Sequence, residues 1–288
     1  MSFYLLRRLM SGPKLAKLGV ERLTEPLHLN IASAFVALLG SYRAKVAFDL
    51  IVRPQYAWPV LHAADTAREY GVKRITVIEF GVANGAGLMN LCAVARRTTE
   101  TTGVAIDVVG FDTGAGMPAA IDYRDHPEAF QAGDFPMDAA KLRAALPPNA
   151  RLILGPIAQT LPAFLAELGP GNPLGFIAID VDYYSSTVDC LKVLDGRPDA
   201  YLPWLPVYLD DITLFTSSIH AGELLAVEEF NAAHALRKVT PLHTLRNRRI
   251  FKNAGWIDQI FVAQIHDHPR RTPAARRELP RVLANEYL

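Results

Sequence analysis

The chain has 288 residues, half of them hydrophobic and 20% charged, with a formal net charge of +1 at pH 7. This is the makeup of an ordinary globular protein with room for a sizeable core, and it excludes a disordered chain or one that coats nucleic acid by bulk charge. The two cysteines, Cys92 and Cys190, lie in apolar patterns with no second thiol or histidine at ligand spacing, which excludes a disulfide framework and leaves buried structural thiols.

Residues 1–70 read as a helical N-terminal appendage, with Ile31, Phe35, Leu38 and Leu39 on one helical face and a break at Arg53-Pro54. Arg7, Arg8, Lys14 and Lys17 suit a packing helix better than a membrane-surface one. The first apolar run is too short for a signal peptide and no window approaches a membrane span, so a soluble, cytoplasmic protein is expected.

From Arg74, short runs rich in Val and Ile alternate with helical patterns, the signature of βαβ units and a parallel sheet. The pattern predicts strands near 75–80, 105–111, 150–154, 175–180 and 205–210, and helices near 86–98, 137–145, 159–168, 185–194 and 220–235. Two β-leaning runs at 242–251 and 256–265, separated by Lys252-Asn253-Ala254-Gly255, predict an antiparallel hairpin at a sheet edge. The fold class is therefore α/β, a Rossmann-like seven-strand methyltransferase sheet with helices on both faces over 71–266. Residues 267–288 read as an Arg- and Pro-rich tail. Its arginines, Arg270, Arg271, Arg276, Arg277 and Arg281, are solvated or touch an anionic surface or a neighbouring subunit.

The run EFGVANGAG at 79–87 follows an apolar strand and opens a helix, so Gly81 and Gly85 let the backbone pass close to a ligand. A dinucleotide fingerprint places Gly-x-Gly-x-x-Gly here, whereas Glu79 would repel a pyrophosphate and suits the amino group of a methionine moiety. S-adenosylmethionine thus fits better than NAD. Asp112, ending the next strand, is placed to accept both hydroxyls of a ribose.

Two further strands end in acids, Asp180 and Asp182 on one and Asp210 and Asp211 on the other. Neighbouring strand ends of a parallel sheet converge on one crevice. Four carboxylates gathered there repel one another unless some are protonated or a hard divalent cation, Mg2+ or another such ion, sits among them. Such a cation would lower the pKa of a substrate hydroxyl and leave one carboxylate, Asp182 first, to accept the proton. Taken singly, Asp180 also reads as a helix cap and Asp210 and Asp211 as turn formers.

Together these segments resemble the macrocin O-methyltransferase family, metal-dependent enzymes acting on sugar hydroxyls of natural products. The likeness rests on EFGVANGAG at 79–87, GFDTGAGMP at 110–118, LILGPIAQTLPAF at 152–164, IDVDYYSST at 179–187 and LDD at 209–211. It implies a cofactor pocket from Glu79, Gly81, Asn84, Gly85, Asp112 and Thr113, with Gln55 and Tyr56 reaching in from the preceding helical segment. It also implies magnesium held by some of Asp180, Asp182, Asp210 and Asp211, and leaves open which of Asp180 and Asp182 is ligand and which is base. Two departures, Ala115 in place of a usual glutamate and Leu202-Pro203-Trp204-Leu205-Pro206 in place of a usual Gly-Gly turn, bear on substrate class more than on fold.

His220, His234 and His243 are alternative bases, Tyr183 and Tyr184 alternative stacking groups, and Arg246, Arg248 and Arg249 an edge that solvent or an acidic partner could meet. The expected partner is a small-molecule hydroxyl acceptor and not nucleic acid, with self-association through the N-terminal helices or the tail as a further expectation. The rival functions are a nicotinamide-dependent oxidoreductase and a non-catalytic S-adenosylmethionine-binding protein.

Overall fold

The computed structural model describes residues 21–213 and 217–272. Arg7, Arg8, Lys14 and Lys17, and Arg276, Arg277 and Arg281 of the tail, lie outside them. Helices α1 (Leu27–Leu39), α2 (Tyr42–Ala47) and α3 (Pro54–Glu69) precede an alternation of β1 (Arg74–Phe80), α4 (Ala86–Thr102), β2 (Ala105–Asp112), α5 (Ala139–Ala145), β3 (Ala150–Leu154), α6 (Ile157–Glu167), β4 (Leu174–Ile179), α7 (Tyr184–Leu191) and β5 (Trp204–Leu209). Helix α8 (Gly222–Ala233), β6 (Arg237–Pro241), the short α9 (Leu245–Arg248) and β7 (Ile260–Ile265) follow.

The seven strands form one sheet in the order β3-β2-β1-β4-β5-β7-β6. Strands β1 to β5 pair in parallel, and β7 runs antiparallel to both β5 and β6. This is the expected seven-strand Rossmann-like α/β sheet. Side chains alternate across it because successive strand residues point to opposite faces. Phe176 and Ala178 of β4 join the core beneath α3 and α4, whereas Ile177 and Ile179 join the core beneath α6, α7 and α8. Both faces are covered, so β4 reads as an unbroken apolar run and β1 is buried beyond its first residue, Thr76 and Glu79 included. Pro206, lacking an N–H, sits inside β5, and pairing to β4 begins only at Val207.

One expectation is corrected. The terminal pair of strands lies at 237–241 and 260–265 rather than 242–251 and 256–265. Leu245 and Phe251 are buried, but the first run forms a turn and α9 that plug the core, and Gly255–Gln259 is a 3-10 turn before β7. Apolar spacing in a short run does not separate a strand from a buried turn. The expected N-terminal helices are present, and α3 packs closely on the domain: Tyr56, Ala57, Val60, Ala63, Ala64 and Ala67 are wholly buried against the sheet and α4.

Arg249, expected at a solvated edge, is buried and binds the N-terminal segment. Its Nη2 donates to the carbonyls of Val46 and Ala47 at 2.8 and 3.0 Å and to Asp49 Oδ1 at 2.5 Å. The first residues of the expected tail also pack back: the Asp267 carboxylate accepts from Arg237 at 2.8 Å, and Arg270 donates to the carbonyl of Tyr70 at 2.7 Å. Helix α1 contributes less, for Leu27, Ile31, Phe35, Leu38 and Leu39 are exposed. No described helix is long and apolar enough to cross a membrane.

Candidate active site

The C-terminal ends of β1, β2, β4 and β5 open onto one cleft of about 590 Å³, within the usual range for small-molecule sites. Its polar wall carries Arg53, Glu79, Asp112, Asp180, Asp182 and Asp210. A parallel sheet gathers them there because neighbouring strands that share a direction end side by side.

Strand β1 delivers Glu79 into an interior position, 1% exposed. Its Oε1 accepts a 2.6 Å hydrogen bond from the hydroxyl of Tyr56, while Oε2 is buried without a partner. Burial pushes the carboxyl up to about 7, against the downward pull of the Tyr56 bond and the Arg53 charge. The glycine turn lies close around it. At Gly87 an added Cβ would come within 1.8 Å of Glu79 Oε1, and at Gly81, with φ +80°, within 1.6 Å of the backbone oxygen of Asp180. Backbone at Asp180 cannot move aside as a side chain can, so Gly81→Ala is expected to destabilise the protein by about 4 kcal/mol or more in a urea melt. A loss under about 1 kcal/mol would show that the turn is less constrained.

Asp112 ties this turn to β2. Its Oδ2 accepts from the N–H groups of Val82 and Ala83, both at 2.9 Å, and Oδ1 from Gly114 at 2.7 Å. Expected as a ribose acceptor, it thus spends most of its accepting capacity on backbone, and only Oδ1 has an evident lone pair left. The Asn84 side chain accepts from Ala86 N at 3.1 Å at the start of α4, and Gly85 sits in the left-handed region at φ 85°. Thr113 lines the cleft with its hydroxyl held in the following turn, donating to the Gly116 carbonyl at 2.9 Å. Tyr56 lies behind Glu79, edge-on to Phe176 and Tyr208, and meets the cleft only through that carboxylate. Gln55 is not among the lining residues.

The strand-end aspartates divide into three and one. Asp180, Asp210 and Asp211 each offer an oxygen within 4.8 Å of the others, and Asp182 stands at the edge of this group with its carboxyl hydrogen-bonded to that of Asp211. Burial and then repulsion by neighbouring carboxylates, Asp210 first for Asp180 and Asp182 first for Asp211, push Asp180 up to about 9 and Asp211 to about 8. Asp182 stands beside the trio at φ 59°, its N–H donating to Asp211 Oδ2 at 3.2 Å, and burial followed by the Asp210 charge pushes it to about 6. Close, half-buried hard oxygens of this kind are a donor set that suits Mg2+ or Ca2+.

Four supporting residues went unread in the sequence. Glu223, buried in the first turn of α8, accepts from the N–H of Asp211 at 3.0 Å. The Tyr208 hydroxyl donates to Asp210 Oδ1, and Gln259 Nε2 donates to the Asp210 carbonyl at 2.7 Å. Asp125, fully buried, accepts from Ser185 N and Oγ at 2.8 and 3.0 Å and from Ile121 N at 2.8 Å, pinning the loop after β2 to the start of α7. A helix-start Gly-Glu and an aromatic two residues before an acidic pair were the available signals, but only tertiary contact gives them a role. His220, His234 and His243 do not line the cleft; His234 meets Asp195 at 3.0 Å and stacks on Phe230. Tyr183 is buried away from the cleft, and Tyr184 lies under Arg124 with 4.4 Å from guanidinium to ring centroid.

No family model matches the chain, and no curated protein does. Among solved structures it is similar to a calicheamicin methyltransferase, at 18% identity over 71% of this chain and 84% of that one, with a TM-score of 0.46. It is also similar to a methyltransferase of mycinamycin biosynthesis in complex with Mg, SAH and mycinamycin VI, at 12% identity, 71% and 47% coverage and a TM-score of 0.35. A plantazolicin methyltransferase in complex with SAH and a triazolic substrate analogue is similar at 11% identity, 87% and 96% coverage and a TM-score of 0.32. The chain spans about half the length of the mycinamycin enzyme.

Proposed function

We propose that the protein is an S-adenosylmethionine-dependent O-methyltransferase that uses a divalent cation to methylate a hydroxyl of a sugar or another small metabolite. One observation carries this reading: Glu79, with a buried, unpartnered oxygen under a glycine turn, lines the same cleft as Asp180 and Asp210, which converge with Asp211. Glu79 stands where a dinucleotide site would place phosphate, so the wall favours a cationic amino-acid moiety.

Asp180, Asp210 and Asp211 are the residues that would hold the cation, which when bound supplies positive charge that lowers the pKa of an acceptor hydroxyl. The cofactor supplies an electrophilic methyl group. Asp182 lies beside the trio and outside it, and a carboxylate titrating near 6 is ionised at neutral pH, so it takes the acceptor's proton. Glu223 and Tyr208 hold Asp211 and Asp210 in place, and Asp125 anchors the loop that carries Ile121 over the cleft mouth. Orientation by these fixed groups replaces reorganisation at the moment of reaction.

Calorimetric titration with S-adenosylhomocysteine and with NAD, each with and without magnesium, tests the reading. Micromolar binding of the first and none of the second is expected; the reverse pattern overturns it.

A further inference from the structure

Among the described residues Arg53 is the one cation lining the cleft, and the scheme above gives it no task. It occupies the position just before α3 in the left-handed region, φ 55° and ψ 69°. A residue preceding proline ordinarily takes extended backbone, and a side chain other than glycine, asparagine or aspartate is rare in this conformation. The unusual backbone accompanies a side chain placed in the cleft. The guanidinium carbon stands 5.2 Å from the centroid of the Tyr56 ring, and the hydroxyl of that ring binds Glu79 Oε1.

Arg53 and Glu79 thus stand on one wall about a shared tyrosine with opposite charges, yet they form no ion pair within 4.0 Å. Charges this near normally close on each other unless the fold holds them apart. Glu79 is fixed by Tyr56 and by the tight approach of Gly87, and its Oε2 is left without a partner. Two opposite charges held apart on one wall complement a zwitterion, an ammonium at the carboxylate and a carboxylate at the guanidinium, which can bind both carboxylate oxygens at once.

We propose that Arg53 binds the α-carboxylate of the cofactor's amino-acid moiety while Glu79 binds its α-ammonium. This rests on the S-adenosylmethionine reading and adds a residue to it. Arg53 would then also discriminate against adenosyl ligands that lack the carboxylate.

The test compares S-adenosylhomocysteine with its decarboxylated analogue, which keeps the amine, by calorimetry on the full-length wild type, Arg53→Gln and Arg53→Lys. Losing a charge-assisted, two-pronged contact is expected to weaken S-adenosylhomocysteine about ten- to hundredfold in Arg53→Gln, with Arg53→Lys between. The decarboxylated analogue should change by less than about twofold. Equal weakening of both ligands, or of neither, overturns the role of Arg53. Wild type that binds neither ligand overturns the cofactor reading instead, and the two failures are distinct. Thermal melts show whether each variant is folded, and the lysine variant keeps the charge should the glutamine variant unfold.

Discussion

Raising the pH from about 5 to 9 with chelator present is expected to destabilise the protein by several kcal/mol, and magnesium added at the high end to reverse most of that loss. Carboxylates in an unfolded chain titrate near 4. Those of Glu79, Asp182, Asp211 and Asp180 are pushed to about 7, 6, 8 and 9 in the folded chain, chiefly by burial. Between those limits the folded chain holds more protons than the unfolded one, so stability falls as pH rises and the loss is complete above about 9. Each pKa difference of one weighs about 1.4 kcal/mol, and four groups contribute. A cation that binds only the folded protein stabilises it by mass action, most where the protons have left.

Thermal melts across this range, with chelator and with magnesium, are the measurement. Asp180→Asn should raise the melting temperature of the metal-free protein at pH 8 and abolish the magnesium effect, because the asparagine needs no proton taken up on folding and is one ligand fewer. A flat pH profile would mean that the carboxylates are better solvated than their placement implies. Stabilisation by magnesium that survives Asp180→Asn would place the ion elsewhere.

The second large effect falls on turnover. Asp182→Asn is expected to slow methyl transfer by a factor of roughly 100 to 10,000, the usual range for a positioned proton acceptor, while changing the affinities for S-adenosylhomocysteine and magnesium by less than about threefold. Asp182 lies outside the group of three whose oxygens converge, and the asparagine keeps the backbone donor and a side chain able to bond Asp211, so the group of three stays in place. The acceptor comes from a screen of sugar-bearing and other hydroxylated metabolites, read by release of S-adenosylhomocysteine. Wild-type rate should rise with pH through about 6, and the variant should lose that limb. Retained activity would move the proton to another group; a parallel loss of magnesium affinity would make Asp182 a ligand.

How far the sequence reaches shows in particular residues. The positions of β1 to β5 were legible because buried parallel strands are short apolar runs between turn residues, and their carboxyl ends carry Glu79, Asp112, Asp180 and Asp210 in a recognisable order. The last two strands were misplaced by several residues, since Leu245 and Phe251 look equally apolar whether they pair in a sheet or plug a core. Gln55 and Tyr56 were expected in the pocket by resemblance, yet their neighbour Arg53 lines it and Tyr56 stands one layer behind. Nothing local distinguishes these three; the left-handed turn before Pro54 decides which one faces the cleft.

By itself, the sequence determined the alternation of strands and helices and the chemistry at the strand ends, because a two-residue or 3.6-residue period and a glycine turn are local properties of a chain. The tertiary structure alone decided which acids meet. It drew Asp180, Asp210 and Asp211 together with Asp182 at their edge, turned Asp112 onto the backbone of the glycine turn, and left Glu79 with one unsatisfied oxygen across Tyr56 from Arg53. Those outcomes depend on distances of a few ångströms between residues far apart in the chain, and such distances are set by packing rather than by spacing along it.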